Sequence, residues 1–318
     1  MDILLTGSVA YDYLMTFPGL FREQFLPERL ASISLSFLVD SMSRQRGGVS
    51  PNIAYSMALL GEHPRVMATV GEDFAEYRAW LDSKGVDTRL MQVVPGLFTA
   101  SFFATTDRDS AQIASFYPGA MGAAASQSLL DVKPRPDLVI VSPNAPEAMT
   151  KFAQECRKIK IPYLYDPSQQ VLRLEGPELK RDMEGAHFMF VNDYEYGLIS
   201  RKTDQDLAHI LEHVDVLVIT RGKDGADVYT GSEKFTIPTV PEQCVVDPTG
   251  VGDAFRAGFL VGHAHGWDWL LCGQMGSLAA VYCLEQKGPQ AHAYTRKEFV
   301  ERFRQHFDDR GQLDALLN

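Results

Sequence analysis

Cysteine is sparse in this chain and is never paired. Its four cysteines, Cys156, Cys244, Cys272 and Cys283, lie far apart with no C-x-x-C spacing. That excludes a disulfide framework and a thiolate metal site, and reads as free thiols in a reducing compartment. Long apolar runs are also missing: no stretch approaches the ~20 residues needed to span a bilayer. Basic charge is scarce, with 30 Lys and Arg against 41 Asp and Glu and a formal net charge of −11. Such a surface repels nucleic acid and anionic membrane, so neither is an expected partner. The start, Met1-Asp2-Ile3-Leu4-Leu5-Thr6-Gly7, has no basic region ahead of its short apolar run, which argues against a secretory signal and for a cytoplasmic protein. Three common site patterns are absent as well: G-x-x-x-x-G-K-[ST], G-x-G-x-x-G after a strand, and H-E-x-x-H.

What remains is an alternation. Ile3–Thr6, Val66–Val70, Leu138–Ser142, Tyr163–Tyr165, Phe188–Val191 and Val216–Thr220 read as strands buried on both faces. Between them, Asn52–Leu60, Phe74–Lys84, Glu147–Lys158 and Leu207–Glu212 have helical spacing, and the chain turns helical again after Val251 and from Arg296 to Phe307. This predicts an α/β fold in three layers, a mostly parallel sheet between helices. Two stretches break the pattern. Tyr11–Asp40, with Leu30, Ile33, Leu35, Phe37 and Val39, has no helical period, and Leu97–Tyr117 alternates as strands do. They predict a small β layer of residues 11–40 and 97–117 inserted into a large domain of residues 1–10, 41–96 and 118–318.

The densest chemistry lies in Asp247-Pro248-Thr249-Gly250-Val251-Gly252-Asp253-Ala254-Phe255-Arg256-Ala257-Gly258. Glycines that feed a helix start leave amide N–H groups open to an anion. A carboxylate at that spot conflicts with a bound phosphate unless it acts as a base, taking a proton from a hydroxyl that attacks the anion. Asp253 also suits a helix cap. Gly47-Gly48 with Asn52 would let a polyol lie against the backbone, or is a plain loop before a helix. Ser8 and Asp12 follow the first strand, where one carboxylate can accept from two adjacent hydroxyls. Asn192 and Glu195 offer oxygen ligands suited to Mg²⁺ through its waters, or a solvated helix start. Thr220-Arg221-Gly222-Lys223-Asp224-Gly225 is a strand followed by a glycine turn that can approach phosphates.

In this order, these elements resemble the ribokinase-like (PfkB) family of carbohydrate and nucleoside kinases over essentially the whole chain. Gly7–Asp12, Phe17-Pro18-Gly19, Leu35–Asp40, Ile113–Met121, Asp166–Gln170 and Asp193-Tyr194-Glu195 narrow the likeness to the bacterial-type adenosine kinases. The resemblance implies transfer of the ATP γ-phosphoryl group to the 5′-hydroxyl of adenosine, giving AMP for purine salvage. A sugar kinase of the same family is the alternative, and a silent nucleoside-binding protein a more distant one. By position, Asp253 would be the base and the amides of Gly250, Val251 and Gly252 the anion hole. Ser8, Asp12, Gly48 and Asn52 would hold the ribose. Phe102 and Phe116 would enclose the base, with Gln169, Gln170 and Arg173 nearby. Thr220, Gly222 and Gly225 would follow the ATP phosphates, and Asn192 and Glu195 would organise Mg²⁺. K⁺ would sit near Asp247, Thr249, Cys283 and Gly288. The β layer would act as a lid and pair two copies into a homodimer through an apolar face containing Leu35, Phe37 and Val39. Tyr77 departs from the pattern, standing where many such kinases have glycine.

Overall fold

The computed structural model describes residues 1–25 and 34–318. Leu30 and Ile33, part of the expected lid, lie outside the described residues. Among the described residues, thirteen strands form two sheets. They are β1 (Ile3–Thr6), β2 (Ala10–Thr16), β3 (Ser41–Gly47), β4 (Arg65–Val70), β5 (Asp87–Val93), β6 (Ala100–Thr106) and β7 (Gln112–Tyr117). Then come β8 (Leu138–Val141), β9 (Tyr163–Tyr165), β10 (Ala186–Asn192), β11 (Val214–Thr220), β12 (Ala226–Thr230) and β13 (Lys234–Ile237).

The large sheet has the order β13-β12-β11-β10-β9-β8-β1-β4-β5. It is parallel from β11 to β5, and β12 and β13 add an antiparallel edge. Alternate residues of its central strands enter different cores, as the period of two requires. Ile3, Leu5, Leu138 and Ile140 pack with the helices Val49–Leu59, Val251–Ala264 and Trp269–Leu284. Leu4, Val139 and Val141 pack on the other face with the helix Pro146–Ile159. Three layers result, and every βαβ crossover leaves its loop at the carboxyl ends of the parallel strands.

The small sheet, order β3-β2-β6-β7, crosses those ends. It includes Ser41–Gly47, which the sequence division assigned to the large domain. That strand, SMSRQRG, carries Arg44 and Arg46 on an edge and so lacks the apolar alternation that marks a strand; its partner β2 defines it instead. One face of this sheet carries Asp12, Phe102 and Phe116 at matched register, and the other Tyr13, Phe103 and Ser115. The expected apolar docking face needs correction. Phe37 turns inward, with its ring 5.1 Å from that of Phe17 and 5.0 Å from Phe21. Only Leu35 of the three named residues is exposed. Among the described residues, no helix is long and apolar enough to cross a membrane.

Candidate active site

Gly250 starts the helix Val251–Ala264 from a left-handed conformation, φ 81°. The chain thereby turns so that its next amides point out of the first turn, where the helix dipole favours an anion. Three of them, on Gly250, Gly252 and Asp253, have no acceptor among the described residues. The amide of Val251 is not free: it donates to Pro248 O at 3.3 Å. Of the amides expected to form the anion hole, those of Gly250 and Gly252 are thus open and that of Val251 is engaged, while the amide of Asp253 is open beside them.

The Asp253 carboxylate accepts from Asn52 Nδ2 at 2.9 Å. Asn52 is itself held, since Gln290 Nε2 donates to its Oδ1 at 2.9 Å. The rest of the Gln290 amide is occupied: it also donates to the Tyr77 hydroxyl and accepts from Trp80 Nε1 at 3.2 Å. Tyr77 in turn donates to Gly47 O at 3.0 Å. A carbonyl that accepts from Gln290 leaves Asn52 only its NH₂ group to offer Asp253, so the orientation of Asn52 is fixed from behind. Burial pushes the Asp253 carboxyl up to about 6, reinforced by Glu195 and opposed by Arg256 and the Asn52 hydrogen bond. A base must be unprotonated to work. A reaction that uses Asp253 is thus expected to lose rate as pH falls through about 6, and a kcat/KM profile between pH 4.5 and 9 checks this.

Two cavities meet at this helix start. The first, about 700 Å³, is lined by Asp253 and Gly250 on its floor and by Ser8, Asp12, Gly48 and Asn52 beside them. Phe102 and Phe116 close it from the small sheet, and Gln169, Gln170 and Arg173 from the turn after β9. Its size is that of a small-molecule pocket. Ser8 Oγ accepts from Val49 N at 3.1 Å, tying the end of β1 to the next helix. Asp12 is half-buried, and burial with the nearby Asp247 raises its carboxyl to about 6. Gln170 donates from Nε2 to Asn144 O at 2.8 Å, while its Oε1 is buried without a partner among the described residues.

The second cavity, about 480 Å³, is lined by Asn192, Thr220, Gly222 and Gly225, with Val251 and Gly252 on its floor. Its apolar wall comes from Val240, Val245, Ala280, Val281 and Leu284. A single helix turn thus separates the two spaces, with Asp253 on one side and Gly252 on the other. Glu195 does not line either cavity. It forms a reciprocal cap with Asn192: Asn192 Oδ1 accepts from Glu195 N at 2.8 Å, and Glu195 Oε2 accepts from Asn192 N at 2.9 Å.

The sequence pattern of the pfkB family carbohydrate kinases matches residues 7–296. The chain belongs to that family. It is similar to the nucleoside kinase of Methanocaldococcus jannaschii, with 29% identity over 309 residues, 96% of this chain and 97% of that protein. The solved structure of Burkholderia thailandensis nucleoside kinase in complex with inosine superposes with a TM-score of 0.86 at 38% identity. That match covers 96% of this chain and 98% of the other. The same kinase in complex with ADP-inosine gives 0.84 at 39% identity, covering 96% of each chain. The ribokinase-like fold is common to all of them.

Several residues of this pfkB kinase escaped the sequence reading. Gln290 carries no local signal; only the fold brings it to Asn52. Tyr77, noted as a departure from the family pattern, is part of the same hydrogen-bonded chain. The apolar wall did leave a signal, because Ser277, Ala280, Val281 and Leu284 recur at i, i+3, i+4 and i+7 along one helix face. The residues named for K⁺ lie together and are joined by hydrogen bonds. Asp247 spends Oδ1 on Thr249 N at 2.9 Å and Oδ2 on Gly288 N at 3.0 Å. The Cys283 thiol donates to Thr249 O at 3.5 Å.

Proposed function

We propose that this pfkB kinase is an ATP-dependent purine nucleoside kinase that converts adenosine to AMP. One observation carries the reading: a nucleoside-sized cavity and a second, apolar-walled cavity share the start of one helix, with Asp253 facing the first and Gly252 the second. In this arrangement Asp12, Asn52 and Gly48 hold the ribose so that its 5′-hydroxyl lies at Asp253. Phe102 and Phe116 flank the base, and stacking on a base is worth ~1–3 kcal/mol, enough to favour a nucleoside over a bare sugar. ATP occupies the second cavity, its adenine on the Val245–Leu284 wall and its phosphates along Thr220, Gly222 and Gly225.

Asp253 accepts the proton of the 5′-hydroxyl as the oxygen attacks the γ-phosphorus. The bond from that phosphorus to the β-phosphate oxygen breaks, and ADP leaves with its electron pair. The amides of Gly250, Gly252 and Asp253 receive the charge that develops on the transferred group. Among the described residues no cluster of His, Cys, Asp or Glu forms a metal cage. Mg²⁺ needs none, because it keeps most of its waters and arrives on ATP. Glu195 Oε1, unused by the helix cap, would hold one of those waters, and the ion would supply neutralisation of the β- and γ-phosphates. Pairing of two copies through the lid belongs to this proposal. The edge strand β7 is exposed along its length, with Ile113 and Tyr117 among its exposed side chains, which supports a partner there.

The test is ATP consumption by the purified protein with adenosine, inosine, ribose and fructose in parallel. Turnover on adenosine with none on the free sugars is expected. Turnover on a sugar but on no nucleoside would overturn the proposal, and equal rates on inosine would widen the acceptor to purine nucleosides generally.

A further inference from the structure

Transfer between the two cavities leaves one charged side chain of Asp247–Gly258 without a task. Arg256 lies one turn beyond Asp253 and is only 8% exposed. Helix side chains lean toward the N-terminus of their own helix, so its guanidinium lies back over the first turn. The sequence makes room for it there: a Cβ on residue 252 would stand 2.9 Å from Arg256 Nη1. One edge of the guanidinium is anchored. Nη2 donates to Asp166 Oδ1 at 2.9 Å, and Nε lies 2.7 Å from Asp166 Oδ2 as an ion pair without hydrogen-bond alignment. Asp166 is fully buried just past the carboxyl end of β9. The remaining nitrogen, Nη1, faces Gly252 and has no acceptor among the described residues.

A pin between helix and sheet does not require this chemistry. A buried ion pair is often no more stabilising than apolar residues of the same volume. The setting is also lopsided, with Asp166, Asp253 and Glu195 all acting on this one guanidinium. Arginine cannot lose its proton, and its planar fork can hold one carboxylate while offering free N–H groups on the other side. Those free groups lie beside residue 252, behind the helix turn that separates the cavities, and Arg256 itself lines neither space.

We propose that Arg256 is a positioning residue for phosphoryl transfer, anchored by Asp166 so that a fixed positive charge stands at the first turn, where the transferred group passes. This rests on the nucleoside kinase reading. Asp166 is thereby a support for the cation rather than a substrate contact. Arg256 also opposes, through its charge, the rise that burial gives the Asp253 carboxyl.

The experiment compares wild type, Arg256→Met, Arg256→Lys and the double variant Arg256→Met with Asp166→Leu. Turnover, the adenosine Kd by calorimetry and the melting temperature are measured for each. Arg256→Met is expected to lower kcat ~10²-fold, the scale for loss of one charge-stabilising donor, while adenosine Kd changes less than about threefold. It is also expected to melt lower, since Asp166 is left buried and unpaired. Arg256→Lys should recover part of kcat, having the charge without the fork. The double variant decides between the roles: recovered melting temperature with kcat still down supports the proposal, and recovery of both overturns it. Should the double variant stay unstable, the extra melting shift given by aluminium fluoride over ADP and adenosine alone replaces it. Its loss in Arg256→Met supports the proposal, and its retention overturns it. Failure of the kinase reading looks different, as wild type itself would then show neither turnover nor that shift.

Discussion

Asp253→Asn is expected to retain adenosine binding and lose at least ~10³-fold in kcat, within the range that general-base catalysis supplies. The variant keeps an oxygen to accept from Asn52 and the same shape, so KM for adenosine should move by no more than a few-fold. What it lacks is a group able to take the 5′-hydroxyl proton. Its stability should move the opposite way. The folded protein holds the Asp253 carboxyl at about 6, above its ordinary value, so ionisation opposes folding once pH exceeds that range. Asparagine removes this cost. Above pH 6 the variant should melt at or above the wild-type temperature, with the gain fading as pH falls toward 4 and the wild-type carboxyl becomes protonated. Steady-state rates with calorimetric scans at pH 5 and pH 8 check both halves. A near-normal kcat would remove Asp253 from the role of base.

Gly250→Ala is the second large effect expected. Residue 250 has φ 81°, a conformation that costs an ordinary residue ~1–2 kcal/mol. Strain is the smaller part of the problem. A Cβ there would stand 2.9 Å from Pro289 Cα and closer still to Pro289 Cβ, and neither can give way without moving the loop that carries Gln290. The first turn must shift, and with it the free amides and Asp253. Losing one donor of an anion hole costs ~10²–10³-fold in kcat, so a fall of that size is expected together with a lower melting temperature. Gly266→Ala separates the causes. Residue 266 also has positive φ, 74°, but no atom lies within 4 Å of its would-be Cβ. That variant should lose a little stability and no turnover. Full activity in Gly250→Ala would mean that the amides do not act in the reaction.

Much of the site is written in short segments, and these were legible. Gly250–Asp253, Gly48–Asn52 and Ser8–Asp12 each combine a strand end or glycine turn with a polar side chain, and the fold brings them to one cavity. The alternation of β6 placed Phe102 opposite Phe103 in facing, which put the first on the cleft side. The failures have a common physical origin. Gln290 and Tyr77 act through contacts that span most of the chain, and no local pattern encodes them. β3 is an edge strand with two arginines, so burial does not impose alternation on it. The hairpin of β12 and β13 escaped for the same reason, because β13 is an edge with two exposed residues among its four. Arg256 stood in plain view within the best motif, yet its meaning required knowing that Asp166 lies beside it and that residue 252 has no Cβ to keep it out.

The placement of β1 between β4 and β8 sets an order of assembly during synthesis. Residues made first cannot settle until both flanking strands have left the ribosome, since parallel pairs close only over long loops. The large sheet is complete in strands once Ile237 has emerged, but Asn52 still lacks the amide that orients it, because Gln290 comes later. A nascent chain of that length also lacks Asp253 itself and the helices Val251–Ala264 and Trp269–Leu284 that cover one face of the sheet. The groups that line up around Asp253 therefore come together only after Gln290 has emerged.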